Sequence, residues 1–248
     1  MKTLLHGLLP QQCLWCQLPV QQAGQQLCDY CNLALPRLSL QHTNLLLLPE
    51  IARGLTDRQF DKLYSLSWYQ LPWSHFIRQW KFQQDLACGA LLNQQLQQAS
   101  QPEQVQSCME AQAVCFVPVS RQRLRQRGFN QAQVLAATVA RCLQLPLLTL
   151  FAHSGHQTHQ LGLNRQQRRA NLRRQFRLLP GLIVPQQLLL IDDVITTGAT
   201  VNQLCRLLRH AGVKQIEVWT LAITAANRRG QLYSQLLPFA ATEARTHD

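Results

Sequence analysis

The sequence predicts an α/β fold in which helices flank a parallel sheet, with a small four-cysteine module near the N-terminal end. Short apolar runs alternate with segments of helical periodicity, a pattern typical of parallel strands joined by crossover helices. Four of the nine cysteines lie close together in two CxxC pairs near the start of the chain. The 248 residues, 46% of them hydrophobic, suffice for one medium domain and an appendage, which excludes extensive disorder.

Hydrophobic periodicity places the individual elements along the chain. Strands are predicted where apolar residues alternate or run together, at residues 61–69, 113–119, 147–150, 187–191 and 215–223. Helices are predicted where apolar residues recur every three or four positions, at residues 74–99, 131–143 and 199–210. Gly212 follows the last of these helices at a position suited to a left-handed cap. The alternation of strands and helices predicts that the strands run parallel.

The charge of the chain is strongly positive and unevenly distributed. Lysine and arginine number 24 against 12 acidic residues, which gives a net charge of +12. Half of the arginines fall in two short segments without acidic residues, 121–127 and 165–177. Such a surface favours anionic partners, namely nucleic acid, phosphates or acidic lipids. No apolar run approaches the roughly 20 residues that span a bilayer, so we expect a cytoplasmic protein without a membrane anchor.

The four clustered cysteines form a pattern suited to metal binding. Cys13 and Cys16 make one CxxC pair, and Cys28 and Cys31 make the second. Each pair suits a tight knuckle, and two knuckles supply four thiolates to one tetrahedral ion. We expect one structural Zn²⁺ here, because four thiolates leave the ion no open position for catalysis. A redox CxxC motif and unrelated core cysteines are the alternatives.

The stretch 188–200 carries the most specific chemistry. Four apolar residues predict a central strand, and Asp192 and Asp193 follow at its carboxyl end, where open α/β sheets bind ligands. The next turn offers hydroxyls, backbone N–H groups and a helix N-terminus to a single phosphate; its residues are Thr196, Thr197, Gly198, Ala199 and Thr200. The carboxylates suit the hydroxyls of an attached sugar. The stretch therefore predicts a site for a phosphorylated sugar, and it lacks the Gly-Lys-Ser/Thr element of a Walker loop.

Two arginine-rich segments provide candidate anion-binding residues. The first follows the predicted strand 113–119 and has arginine at every second position: Arg121, Arg123, Arg125 and Arg127. In an extended loop this spacing presents guanidinium groups to successive phosphates, whereas the alternative is a merely solvated basic loop. In the second segment Arg165, Arg169 and Arg173 share one face if the segment is helical. That face suits a nucleic-acid backbone, or it simply keeps an active-site hood soluble.

Several motifs together resemble the ComF/GntX family, the competence-associated branch of phosphoribosyltransferase-like proteins. Residues 188–200 resemble the phosphoribosyl-pyrophosphate (PRPP) motif of type I phosphoribosyltransferases. Residues 123–132 (RLRQRGFNQA) match a family signature that includes Gly128, Phe129, Asn130 and Gln131. The cysteine cluster resembles the family's zinc module, and residues 77–82 (IRQWKF) resemble its Lys-Phe/Tyr element. A further signature, Q-x2-L-x4-R-x2-N-x4-F, is matched by Gln160, Leu163, Arg168, Asn171 and Phe176.

The resemblance implies a fold, a ligand and a role for each motif. The fold would be a type I phosphoribosyltransferase-like parallel sheet flanked by helices over residues 111–248, after a zinc module (1–40) and a connector with a helical hood (41–110). Asp192 and Asp193 would bind the ribose hydroxyls, the following turn would bind the 5′-phosphate, and Mg²⁺ would arrive with PRPP. The residues implied in binding pyrophosphate or nucleic acid are Arg121, Arg123, Arg125, Arg127 and Arg168.

Three histidines mark a departure from the family pattern. The family often carries an arginine shortly before the signature glutamine, where this chain has His153, His156 and His159. Their three-residue spacing allows a metal site, although loop histidines without a ligand are the simpler interpretation. The sequence assigns these histidines no role.

Three functions are compatible with these residues. The first is a binding protein in DNA uptake or competence that holds PRPP or a nucleotide and handles single-stranded DNA, with other competence proteins or in the use of DNA as a nutrient. The second is an active phosphoribosyltransferase that transfers phosphoribosyl from PRPP to a nitrogen acceptor, with arginine and Mg²⁺ stabilising the departing pyrophosphate. The third is a nucleotide-sensing regulator without turnover. A ligand that contains phosphate is common to all three.

Overall fold

The computed structural model describes residues 11–38, 44–55, 57–102, 105, 110–153 and 175–224. Their architecture is an α/β fold built on a five-stranded parallel sheet, which confirms the predicted fold class. Part of the second arginine segment, part of the family signature and two of the three histidines lie outside the described residues, namely His156, His159, Gln160, Leu163, Arg165, Arg168, Arg169, Asn171, Arg173 and Arg174.

The cysteine module leads into the first strand of the sheet. The module contains helix α1 (Asp29–Ala34), and a 3₁₀ turn (Leu45–Leu47) and helix α2 (Pro49–Gly54) follow it. Strand β1 (Lys62–Trp68) comes next and pairs in parallel with the last described strand. The segment 41–110 therefore contributes an edge strand to the main sheet as well as helices.

The main sheet has the strand order β1-β7-β6-β2-β3, and all of its neighbouring strands are parallel. Its other members are β2 (Ala113–Phe116), β3 (Leu147–Leu148), β6 (Gln187–Ile195) and β7 (Gln215–Ile223). The four apolar residues 188–191 of β6 are at most 1% exposed. A strand buried on both faces requires such a continuous apolar run, which is why the sequence pattern located β6 and β7.

Helices accompany the strands: α3 (Trp73–Phe82), α4 (Leu86–Ala99), α5 (Arg121–Arg127), α6 (Gln131–Cys142) and α7 (Ala199–His210). The predicted helix 74–99 is divided because Gln84 takes a positive φ and the Asp85 carboxylate caps the start of α4. α6 packs on β2 and β6, and α4 packs on α6. Gly212, with a φ of +92°, follows α7 as predicted. None of the described helices is both long and apolar enough to cross a membrane.

Two further local predictions differ from the structure. The arginine segment forms helix α5, so the predicted extended loop is wrong; Ser120 caps the first turn and Gly128, with a φ of +78°, ends the helix. Strand β6 continues to residue 195 and not only to 191, because its last residues pair with β7 up to Ile223. Asp192 and Asp193 therefore lie inside the last part of a strand. A separate antiparallel ribbon joins β4 (Phe151–His153) and β5 (Phe176–Leu178).

The cysteine module packs against α3. The indole N–H of Trp73 donates a 2.6 Å hydrogen bond to the carbonyl oxygen of Pro36. The rings of Trp15 and Phe76 meet at a centroid distance of 5.9 Å. Arg37 donates hydrogen bonds to groups of both the module and α4. These contacts fix the position of α3, whose last turn reaches the carboxyl end of β6.

Candidate functional site

The turn after β6 forms a small pocket suited to an anion. Gly198 has a left-handed φ of +68°, and a Cβ atom on it would lie 2.6 Å from Cδ2 of Leu55, so this position requires glycine. The pocket has a volume of about 50 Å³ and is lined by all of residues 196–200 together with Asp192. The first backbone N–H groups of α7 have no partner within the helix, which makes the pocket suitable for one phosphate group.

Asp192 lines both this small pocket and a larger cleft, and Asp193 lines the cleft. Asp192 Oδ1 accepts a 2.8 Å hydrogen bond from the backbone N–H of Asp193. Burial, reinforced by the charge of Asp193, raises the pKa of Asp192 to about 8. At neutral pH most molecules therefore carry a proton on Asp192, which lets this carboxyl group donate a hydrogen bond as well as accept one.

Lys81 forms an ion pair with Asp193. The distance from Lys81 Nζ to Asp193 Oδ2 is 2.7 Å, and the two side chains are only 16% and 14% exposed. Lys81 belongs to the last turn of α3 and was not among the site residues predicted from the sequence. Local periodicity does not reveal which helix meets the end of β6. The one available signal was the resemblance of residues 77–82 to the Lys-Phe/Tyr element.

The larger cleft combines acidic and basic side chains. Its volume is about 840 Å³, within the usual range for small-molecule sites. Asp192 and Asp193 line it together with three cationic side chains, Lys81, Arg123 and Arg127. The arrangement can bind hydroxyl groups at the carboxylates and an anionic group at the cations at the same time.

Helix α5 divides the four predicted arginines into two pairs. Arg123 and Arg127 are one turn apart and line the cleft. Burial and the charge of Arg123 lower the pKa of Arg127, which indicates a partly desolvated guanidinium group. Arg121 and Arg125 are exposed and do not line the cleft. The sequence spacing alone had treated all four as equivalent.

The signature residues after α5 hold this helix in place. The ring of Phe129 packs on Trp80 of α3 at a centroid distance of 5.5 Å. The side chain of Asn130 donates a 3.0 Å hydrogen bond to a backbone carbonyl just after β2 and accepts another at the start of α6. Gln131 Oε1 accepts a 3.3 Å hydrogen bond from Arg127. These residues therefore position the arginine pair that faces the cleft.

The antiparallel ribbon flanks the same cleft. His153 at the end of β4 and Gln175 and Phe176 at the start of β5 all line it. Burial and the charge of Arg123 lower the pKa of His153, so its imidazole is mostly neutral at neutral pH. The described end of the second arginine segment, Arg177, is exposed on β5.

The four clustered cysteines form a candidate metal centre. The Sγ atoms of Cys13, Cys16, Cys28 and Cys31 all lie within 4.8 Å of one another, and those of Cys16 and Cys28 are 3.7 Å apart. A tetrahedral zinc–thiolate site has Zn–S distances of about 2.3 Å, hence S···S distances of about 3.8 Å, so the geometry fits. Burial alone would raise the pKa of Cys13, but hydrogen bonds from backbone N–H groups lower it to about 6, which favours the thiolate. The cluster can hold one metal ion.

Comparison with known proteins agrees with this geometry. Residues 130–235 match the family model described as a phosphoribosyl transferase domain. Competence protein F of Haemophilus influenzae is 34% identical over 173 residues, which cover 67% of this chain and 74% of that protein. The DNA utilization protein YhgH of Salmonella typhimurium is 28% identical over 232 residues, 87% of this chain and 98% of that protein.

Among solved structures, an orotate phosphoribosyltransferase from Aeropyrum pernix is 16% identical, with a TM-score of 0.34. The similarity covers 58% of this chain and 63% of the solved one, less than two thirds of its length. Two findings confirm the family resemblance: the identity and coverage of the match to the competence protein, and the match to the phosphoribosyl transferase domain model. This chain therefore belongs to the ComF family of phosphoribosyltransferase-like proteins.

Proposed function

We propose that the protein binds PRPP with Mg²⁺ in the cleft and handles single-stranded DNA in the cytoplasm. One observation carries the PRPP proposal: Asp192 lines both the small turn pocket and the large cleft. A ligand with a phosphate in the small pocket would present its next atoms to the aspartates and its far end to the basic side chains. PRPP has its 5′-phosphate, ribose and pyrophosphate in this order.

Each part of PRPP would meet a group of complementary chemistry. The turn 196–200 would bind the 5′-phosphate through backbone N–H groups and hydroxyls. The ribose hydroxyls would exchange hydrogen bonds with Asp192 and Asp193. The pyrophosphate would face Arg123 and Arg127, whose planar guanidinium groups suit paired phosphate oxygens.

Mg²⁺ would reach this site with the pyrophosphate. The described residues bring three or more metal-ligating side chains together only at the four cysteines, so the cleft offers no complete protein cage for Mg²⁺. Mg²⁺ commonly binds through one or two carboxylates, substrate phosphates and waters. Asp193 fits that partial role, as does Asp192 once it has released its proton, and the ion would offset the charge of the pyrophosphate.

Calorimetric titration with PRPP and Mg²⁺ tests the site. We expect measurable binding by the native protein and a loss of about tenfold or more in the Asp192→Asn, Asp193→Asn double variant, because both ribose contacts change. Asp57→Asn is the matched control, since Asp57 is exposed on a loop away from the cleft lining. Equal affinities for the double variant and the native protein would disprove the ribose assignment.

The DNA part of the proposal rests on the family and on surface charge. The relatives are named for competence and for DNA utilization. Arg121 and Arg125 lie exposed on α5 outside the cleft, with Arg177 exposed on β5. Exposed guanidinium groups suit the phosphate backbone of a single strand, which binds proteins through salt-dependent contacts.

The division of arginines on α5 provides a matched test. Fluorescence anisotropy with a labelled single-stranded oligonucleotide would be measured against salt concentration. In Arg121→Gln, Arg125→Gln we expect weaker DNA binding and a salt slope reduced by roughly 0.7 per lost phosphate contact, with PRPP affinity retained. In Arg123→Gln, Arg127→Gln we expect the PRPP affinity to fall instead. Identical effects of the two double variants on both ligands would contradict the division.

Turnover separates an active transferase from a binding protein or regulator. The aspartates, the phosphate turn and the cations form an arrangement that can stabilise a departing pyrophosphate, which favours transferase activity as a second candidate. Pyrophosphate release would be measured with a panel of nitrogen bases and amines. Release that depends on an acceptor would establish transfer, and PRPP binding without release would establish a binding or sensing role.

We further propose that the cysteine cluster holds one structural Zn²⁺. Four sulfur ligands at these distances suit zinc and disfavour hard cations such as Mg²⁺. Elemental analysis should give one zinc per chain, and the Cys28→Ser variant should contain less. A content near zero in carefully reduced native protein would disprove the zinc assignment.

A further inference from the structure

Lys81 forms an ion pair with a carboxylate that the proposed ligand would need for its own binding. Its ammonium group lies 2.7 Å from Asp193 Oδ2, and both side chains are largely shielded from solvent. Asp193 is one of the two residues proposed to bind the ribose hydroxyls. A ribose hydroxyl that binds Oδ2 would therefore compete with the ammonium group, unless the ammonium group finds another anion when the ribose arrives.

The backbone of Lys81 is held firmly while its side chain can move. The inner face of α3, formed by Trp73, Phe76, Ile77 and Trp80, is at most 3% exposed. At the end of this helix, Gln84 Nε2 donates a 3.1 Å hydrogen bond to a backbone carbonyl of α5. A lysine side chain has four methylene groups and no fixed donor geometry, so its ammonium group can relocate by rotamer changes alone.

An alternative anion would lie within the same cleft. Lys81, Arg123 and Arg127 all line it, and the pyrophosphate of PRPP would lie against these cations. A pyrophosphate carries more negative charge than a single carboxylate, so it attracts an ammonium group more strongly. A bound pyrophosphate would therefore be the strongest new attraction for a displaced Lys81.

We propose that Lys81 is a pyrophosphate-binding residue that Asp193 holds in the ligand-free protein and releases when ribose hydroxyls bind. This inference rests on the proposed binding of PRPP. When a pentose phosphate with a diphosphate at its anomeric carbon binds, the ammonium group moves to the diphosphate. This new ion pair offsets the free energy lost when the pair with Asp193 breaks. Ribose 5-phosphate breaks the same ion pair without compensation. Lys81 thereby makes the site selective for the diphosphorylated sugar.

Calorimetry with two ligands tests this exchange. PRPP with Mg²⁺ and ribose 5-phosphate would be titrated into the native protein and into Lys81→Met. We expect the PRPP affinity to fall about tenfold or more, and the ribose 5-phosphate affinity to stay equal or rise, because no ion pair must be broken. The affinity ratio of the two ligands should therefore fall at least about tenfold.

Lys62→Met is the matched control. Lys62 makes a comparable ion pair, 2.8 Å from Glu217, between β1 and β7 and outside the cleft lining. This variant should retain the native affinity ratio. Lys81→Gln, which keeps a hydrogen-bond donor without the charge, would replace Lys81→Met if the latter fails to fold, and it should show the same fall in the ratio.

Three outcomes are distinguishable. Equal losses for PRPP and ribose 5-phosphate would show that Lys81 only maintains the structure and would overturn the inference. An unchanged PRPP affinity in both Lys81 variants would overturn it as well. Failure of the native protein to bind PRPP would refute the proposed function itself, and the exchange mechanism with it.

Discussion

Replacing Asp192 with asparagine should stabilise the protein increasingly as the pH rises. Burial and the neighbouring Asp193 raise the pKa of Asp192 from an ordinary 3.8 to about 8. Between these two values the folded native protein holds a proton that the unfolded chain releases. Its free energy of unfolding must therefore fall with increasing pH across this window. Asparagine has no such proton, and it can still accept the 2.8 Å hydrogen bond from the Asp193 N–H.

The magnitude follows from proton linkage. One group that takes up a full proton on folding changes the free energy of unfolding by about 1.4 kcal/mol per pH unit. Between about pH 5 and about pH 8 the advantage of Asp192→Asn over the native protein should grow by up to about 4 kcal/mol. Adjustment of the ion pair between Lys81 and Asp193 reduces this value, so we expect a growth of at least about 1.5 kcal/mol.

Urea unfolding at several pH values measures this change. The useful quantity is the difference between the two proteins at each pH, because the pH dependence of groups that do not interact with Asp192 cancels. Asp57→Asn is the matched control: Asp57 is exposed, and its φ of +58° is one that asparagine adopts readily. The control reports the effect of removing an exposed carboxylate that does not line the cleft. A difference between Asp192→Asn and the native protein that is constant from about pH 5 to about pH 8 would refute the reasoning.

Two further predictions concern the turn 196–200 and the four-cysteine cluster. Gly198→Ala should lower the free energy of unfolding by about 1–3 kcal/mol more than Gly181→Ala and should weaken PRPP binding, because both glycines have positive φ but only at Gly198 would a Cβ atom meet Leu55. Urea unfolding and calorimetry check this, and equal costs at the two glycines would contradict it. Chelation should lower both the melting temperature and the PRPP affinity, because the module packs through Trp15 on the helix that carries Lys81. An unchanged melting temperature after proven metal removal would show that the module does not depend on its ion.

Features that leave a pattern in nearby residues could be predicted from the sequence. The strand 215–223 and the helix 199–210 were predicted with their observed bounds, since a buried strand and an amphipathic helix each leave a local pattern. The four cysteines were grouped correctly because paired knuckles have a characteristic spacing. The helix formed by the arginine segment was missed, because alternating arginines also fit an extended loop and the cap at Ser120 was overlooked.

The sequence by itself determined which chemical groups are present: two adjacent acidic residues before a turn rich in threonine and glycine, four clustered cysteines, and an excess of arginine. Only the tertiary structure decided which distant groups meet. It placed Lys81 on Asp193, turned Arg123 and Arg127 into the cleft, and left Arg121 and Arg125 outside it. The reason is that these contacts depend on how α3 and α5 pack at the carboxyl edge of the parallel sheet. Local periodicity indicates that a side chain is buried, but it does not indicate which element the side chain packs against.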